Sequence, residues 1–235
     1  MERTGAKFKC YADSRNKGFC VHCGGPYETD DHVPSKVLLD EPYPDNLIVC
    51  PSCLKCNNEL SEDETYLACL LECVIAGEAT PSKLHRPKIS KVLEHSKALL
   101  ARLEKARTDS DGGNTWSVEY DRAKAVLLKL ARGHAAYEHN QPQLQEPDYL
   151  DIRPLCTMNG SKRAAFERVE EGGLAAWPEV GSRAMQRLLV VDTEVYSGGW
   201  ITVQDGNYRF HVSDDDGMVV KIVLREYLAC QVEWK

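Results

Sequence analysis

Two Cys-x-x-Cys pairs, Cys20/Cys23 and Cys53/Cys56, stand about thirty residues apart, with Asp31-His32 between them and Asn57-Asn58 directly behind the last cysteine. Four thiolates are the donor set of a closed tetrahedral zinc site. Asp, His and Asn add nothing to such a site. They are the side chains that bind a second, harder cation and take a proton from water. A gap this long exceeds the spacing of ribbon-type fingers, so a long hairpin or a functional insert is expected to fill it. His22 lies inside the first knuckle and could replace a cysteine. Cys50 offers a competing Cys50-x-x-Cys53 pair, which would leave Cys56 without a role.

The remaining composition bounds the setting. Ten cysteines in 235 residues suit metal ligation in a reducing compartment better than a disulfide framework. Cys69 and Cys73, four apart in the apolar run Leu67 to Ile75, read as buried thiols. A hydrophobic fraction of 43% and a charged fraction of 28% are those of an ordinary globular protein. No apolar run approaches the roughly 20 residues that span a bilayer, so no membrane association is expected. The start lacks the apolar core of a secretory signal, and a cytoplasmic location is expected. The net charge is −7. Proteins that hold DNA by charge alone are usually basic, so any nucleic-acid contact here must rely on a local patch, a metal or a partner.

The elements that must position these residues can be read in outline. Residues 1–19 form a loose basic arm. From 19 to about 60 the chain reads as a metal-bound pair of strands, the first ending at Asp31–Val33 and the second running from Asn46 to Val49. A helix follows, opened by the capping box Ser61–Glu64 or a turn earlier near Asn57, and stopped by Gly77. Periodicity predicts one amphipathic helix over 88–107, with Ile89, Val92, Leu93, Leu99, Leu100 and Leu103 on one face. Lys88, Lys91, His95, Arg102 and Lys105 share a separate arc, which is either solvated or turned towards phosphates. A third helix is predicted over 121–138, a loop over 140–150, and short helices over 161–171 and 181–188. Strands are predicted at Trp200–Val203, Tyr208–Val212, Met218–Leu224 and Tyr227–Trp234, separated by turns such as Asp205-Gly-Asn207. The fold class is α+β: a zinc-bound module over 1–80, a mainly helical region over 81–195 and a small antiparallel sheet over 196–235.

The segment Thr29–Pro34, taken with Asn46 and both knuckles, resembles the HNH, or ββα-metal, nuclease family over roughly residues 18–76. The resemblance implies that His32 is the general base and that Asp31 helps bind a catalytic Mg²⁺ or Mn²⁺. It also implies that Asn46 fixes the loop and that Asn57 completes the metal site, with Asn58, Glu59 and Asp63 as alternatives nearby. The zinc would be structural. Two positions depart from the family pattern: the last is Asn rather than His, and Asn46 lies farther from the second knuckle than is usual. The implied function is a divalent-metal-dependent DNA endonuclease, directed by a partner subunit and placed by analogy in a bacterial defence or restriction-type system. Lys88, Lys91, Arg102 and Lys105 would contact DNA. Two other readings stay open: a zinc-stabilised binding module with a vestigial nuclease site, and a transcription factor reading a groove through 88–107.

Overall fold

The computed structural model describes residues 18–44, 47–110, 113–169, 196–197, 199–214 and 216–235; the basic arm over 1–17, Asn46 and the helix predicted over 181–188 lie outside them. The chain is mixed α+β and divides into two compact units, one comprising the residues up to Asn58 with Leu128–Lys235, the other Glu59–Leu127. The cysteine-rich segment and the C-terminal strands, read from sequence as separate domains, belong to one unit. A hairpin of so few residues cannot bury a core of its own.

In that first unit, β1 (Thr29–Val33) pairs antiparallel with β2 (Ile48–Ser52), setting Asp31 opposite Cys50 and His32 opposite Val49. The helix α1 (Leu54–Glu59) begins at the second knuckle. The Asn57 amide donates to the Cys53 carbonyl at 3.1 Å. The Glu28 carboxylate accepts from the Leu54 N–H at 2.9 Å, satisfying one donor at the helix start.

The second unit holds α2 (Ser61–Ala76), α3 (Pro87–His95), α4 (Lys97–Ala106), the hairpin β3 (Arg107–Ser110) and β4 (Gly113–Trp116), and α5 (Tyr120–His139) as far as Leu127. Ser61 lies inside α2, whose N-cap position is Leu60, because the chain is already helical through α1 when it arrives there. Gly77, at φ +74°, ends α2 in the left-handed conformation that glycine adopts freely. The single helix expected over 88–107 is two helices, broken at Ser96 (φ −100°, ψ 79°). Its apolar stripe lapses at Ser96-Lys97, and the break lets Leu93 and Leu103 both become fully buried.

The rest of the first unit is a six-stranded antiparallel sheet in the order β5-β10-β9-β8-β7-β6. These strands are β5 (Tyr149–Pro154), β6 (Tyr196–Ser197), β7 (Trp200–Gln204), β8 (Tyr208–Asp214), β9 (Met218–Leu224) and β10 (Leu228–Trp234). The four predicted C-terminal strands are present. The edge strand β5 begins inside the predicted loop, and its residues are only half-buried or exposed. The helix α6 (Gly160–Glu167) covers the sheet through Phe166, which packs with Leu155, Trp200, Val223 and Ala229.

Two contacts within this unit hold the hairpin. Gly133 of α5 allows close approach, since a Cβ there would lie 2.6 Å from Val33 Cγ2. The Cys50 thiol donates to the Gly133 carbonyl at 3.4 Å. The loop after β1 is tied to the sheet at Asp40, whose N–H donates to Gln204 Oε1 (2.8 Å) and whose carbonyl accepts from Gln204 Nε2 (2.9 Å). Gln204→Ala should therefore lower unfolding free energy by about 1–3 kcal/mol in urea titration, since two paired backbone groups lose their partner.

Candidate metal centre and the neighbouring strand

The sulfur atoms of Cys20, Cys23, Cys53 and Cys56 all lie within 4.8 Å of one another. Zn–S bonds of about 2.3 Å in a tetrahedron place sulfurs about 3.8 Å apart. The Cys23 and Cys53 sulfurs are 3.8 Å apart. Backbone N–H groups aim at two of the thiols, Gly25 at Cys23 (3.4 Å) and Cys56 at Cys53 (3.3 Å). Gly24, at φ +74°, makes the tight first knuckle, and its N–H donates to the Cys20 carbonyl at 2.9 Å. Burial opposes ionisation of Cys20, yet hydrogen bonds from the backbone of Cys53, His22 and Cys23 and from Ser52 outweigh it and bring the thiol down to about 7. Burial and the neighbouring thiols push Cys56 far up. Four adjacent thiols ionise together only when a cation compensates them. The four cysteines therefore could hold a metal such as zinc. Cys50, bonded to Gly133, and His22, facing Asp31, are not in the cluster.

Strand alternation separates Asp31 from His32. Successive side chains of a strand point to opposite faces, so His32 shares its face with Asp30, and Asp31 shares the other with Val33. Asp31 is buried, 2.9 Å from Lys129 Nζ and 3.2 Å from His22 Nε2. Burial raises its pKa, but the His22 hydrogen bond and the Lys129 charge prevail and hold the carboxyl below its ordinary value. Asp31, expected as a ligand of the harder cation, is in this structure a counter-ion of a buried lysine. His32 is half-buried near the end of β1.

Asn57 reaches back to β1, its Nδ2 donating to the Asp30 carbonyl at 3.3 Å and lying 3.5 Å from Thr29 Oγ1. Asn58, one position on, is exposed. Of the alternative ligands, Glu59 is exposed, and Asp63 belongs to the second unit, where it pairs with Arg122. Asp30 is exposed and accepts a hydrogen bond from the Tyr27 hydroxyl at 3.1 Å, which with its charge raises the Tyr27 pKa.

The break at Ser96 divides the basic arc between two helices. Lys88 and Lys91 lie on α3, Arg102 and Lys105 on α4. Arg102 is paired with Glu119 at 3.1 Å, Lys83 with Glu78 at 3.1 Å, and Arg86 is buried, so the face is less basic than its residue count. Three other histidines are engaged elsewhere: His134 is buried against Tyr208 Oη (2.7 Å), His211 bonds the Gly199 carbonyl (2.9 Å) and His95 that of Lys91 (2.7 Å). Sequence reasoning missed Lys129, although a lysine three residues after Val126 and four before Gly133 stands on the core stripe of α5. It also passed over Tyr27 and Asp30.

Compared with protein-family models, curated proteins and solved structures, the chain matches none. Among the described residues, no helix is long and apolar enough to cross a membrane.

Proposed function

We propose that this chain is a divalent-metal-dependent endonuclease of the HNH type that hydrolyses DNA phosphodiester bonds, with His32 as general base. The observation that carries the reading is the Asn57 amide seated on β1 at Asp30, two residues before His32, in a hairpin-helix element closed by four clustered thiols. At about 3.3 Å per residue, Asp30 and His32 are about 7 Å apart along the strand, on the same face. Zinc on the four cysteines is structural, since four thiolates leave no open position. His32 accepts the proton of the attacking water, and a neutral imidazole near pH 7 suits that task. Bound Mg²⁺ or Mn²⁺ supplies charge stabilisation at the phosphate and leaving oxygen. Lys88, Lys91, Arg102 and Lys105 contact the DNA backbone, and a partner subunit brings an acidic chain to its substrate.

Supercoiled-plasmid nicking tests this. Zinc-loaded protein should cut in Mg²⁺ or Mn²⁺ and stop in chelator, and His32→Ala should lower the rate by about 10²–10⁴. Equal rates for the two proteins would end the nuclease reading. Reversing Lys91, Arg102 and Lys105 to Glu should weaken DNA binding and flatten its salt dependence by about 0.9 per lost phosphate contact. Unchanged affinity would return that face to solvent. The second reading, a zinc-stabilised binding module with a vestigial site, is favoured by one observation: the carboxylate beside His32 in sequence is held inside by Lys129.

A further inference from the structure

We propose that the outer edge of β5 is a dimerisation edge, to which a second copy of this chain adds its own β5 antiparallel, with Ile152 on the twofold axis. Strand β5 ends the six-stranded sheet, and among the described residues no strand lies on its outer side. The opposite edge, β6, has only the two residues Tyr196–Ser197. Strand β5 has six, Tyr149–Pro154, and none of them is fully buried. An edge of that length offers a row of N–H and C=O groups to another strand. Backbone direction and side-chain charge, two independent features, select the same partner and the same register.

One step beyond the strand, the Leu155 N–H donates to the Tyr227 carbonyl at 2.7 Å, on the β10 side. The ladder runs without a shift from Pro154 opposite Leu228 to Tyr149 opposite Glu233. Direction alternates along it, so Arg153, Asp151 and Tyr149 turn their backbone groups to β10, and Pro154, Ile152 and Leu150 turn theirs outward. Two copies centred on Ile152 therefore meet through outward-turned residues. The two Ile152 residues exchange both N–H···O bonds, and each Leu150 N–H meets a Pro154 carbonyl across the axis. Proline sits where the sheet itself needs no donor.

Charge gives the same answer. Asp151 and Arg153 share one face of β5 and are joined within the strand, Arg153 Nε lying 2.6 Å from Asp151 Oδ2 and Nη2 2.6 Å from Oδ1. With Ile152 on the axis, Asp151 stands opposite Arg153 of the partner subunit, and Arg153 opposite the partner's Asp151. These are non-hydrogen-bonded pairs, in which side chains come closest. An axis at Asp151 would set aspartate against aspartate, and one at Arg153 arginine against arginine. Either would also centre the pairing on a residue whose backbone groups β10 has taken. The interface is isologous, the commonest kind in homodimers. Strand β5 and the cysteine hairpin belong to one unit, so the dimer carries two such hairpins related by the same axis.

The test is sedimentation equilibrium of the full chain, zinc-loaded, over a concentration series. Wild type should pass from monomer to dimer with a Kd below about 1 mM. Asp151→Arg and Arg153→Asp should each weaken self-association by about tenfold or more, because both cross-strand pairs become like-charged. Mixed in equal amounts, the two variants should associate with each other at close to wild-type affinity, since one strand then carries two positive charges and the other two negative. Ile152→Pro takes the central N–H from the outer edge but no bond from the β10 ladder, so it should abolish the dimer at an unaltered circular dichroism spectrum. Wild type that stays monomeric throughout overturns the proposal, as do charge variants that self-associate as well as wild type or gain nothing on mixing. Hydrogen exchange at the Ile152 amide should slow as concentration rises. An amide equally slow at every dilution would mean that another part of the same chain covers the edge, and would overturn the proposal too.

Discussion

Cys53→Ser protein is expected to lose its zinc and to unfold from Gly18 to Asn58, while Glu59–Leu127 keeps its helical signal. Binding of structural zinc to small cysteine sites is worth about 10–16 kcal/mol near neutral pH, and in such modules that free energy is folding free energy. A whole domain is stable by only about 5–15 kcal/mol, so nothing else in a two-stranded hairpin can replace it. The Cys53 thiol also accepts the Cys56 N–H in the first turn of α1 and faces Cys23 across the cluster, so its loss removes the junction of both knuckles. The measurement is metal content by mass spectrometry together with hydrogen exchange across β1 and β2. Wild type should carry about one zinc per chain, and the variant none, with β1 amides exchanging at the rate of an unfolded chain. Cys50→Ala is the control. Its thiol bonds Gly133 outside the cluster, so it should keep its zinc. Retained zinc and protected amides in Cys53→Ser would contradict the assignment of the cluster.

The second large effect is at the buried pair. Asp31→Ala should destabilise the first unit by about 3–5 kcal/mol, because it takes a counter-charge at 2.9 Å away from the buried Lys129 ammonium. Asp31→Asn with Lys129→Met should recover most of that loss, since both charges leave together. Urea denaturation of the two variants against wild type measures the difference. The pair also gives a pH dependence. The Asp31 carboxyl is held below its ordinary value of 3.8 in the fold, so the unfolded chain takes up the proton first. Its contribution is therefore full above that value and is lost as pH falls through the lowered folded one. Stability that rises on acidification through this window would contradict the ion pair.

The parts of this molecule written in local pattern were legible from sequence. The two knuckles announce themselves by spacing, and the clustered sulfurs follow from it. The four C-terminal strands carry period-two alternation and turn residues such as Asp205-Gly206-Asn207, and they pair as neighbours. The parts decided by tertiary packing were not. The break at Ser96 is half visible, because the stripe of Ile89, Val92 and Leu93 finds no apolar partner at Ser96-Lys97, yet a helical average runs over it. Strand β5 carries only a short alternation, Leu150-Asp151-Ile152-Arg153, between Pro147 and Pro154, and as an edge strand it buries none of its residues fully. The joining of the cysteine hairpin to the C-terminal sheet depends on Gly133 meeting Val33 and Gln204 meeting Asp40, pairs separated by a hundred residues or more.

The carboxylates of β1 show both sides of this. Alternation alone puts Asp30 rather than Asp31 beside His32, but the family likeness draws attention to the residue adjacent in sequence. The partner that settles Asp31's position, Lys129, lies in a helix whose apolar pattern gives no hint of which strand it meets. Asn57 against Asn58 is a smaller instance. A helix turns about 100° per residue, so only one of two neighbours can reach β1, and the knuckle's geometry selects Asn57.

The claim that His32 takes the proton from water is tested most directly by replacing the imidazole and then returning it from solution. The measurement is the initial nicking rate of zinc-replete His32→Gly in saturating Mn²⁺, with and without added imidazole. The expected result is a rate near background that rises with imidazole towards a plateau, at unchanged zinc content. A His32→Gly protein that cuts as fast as wild type with no imidazole present would contradict the account.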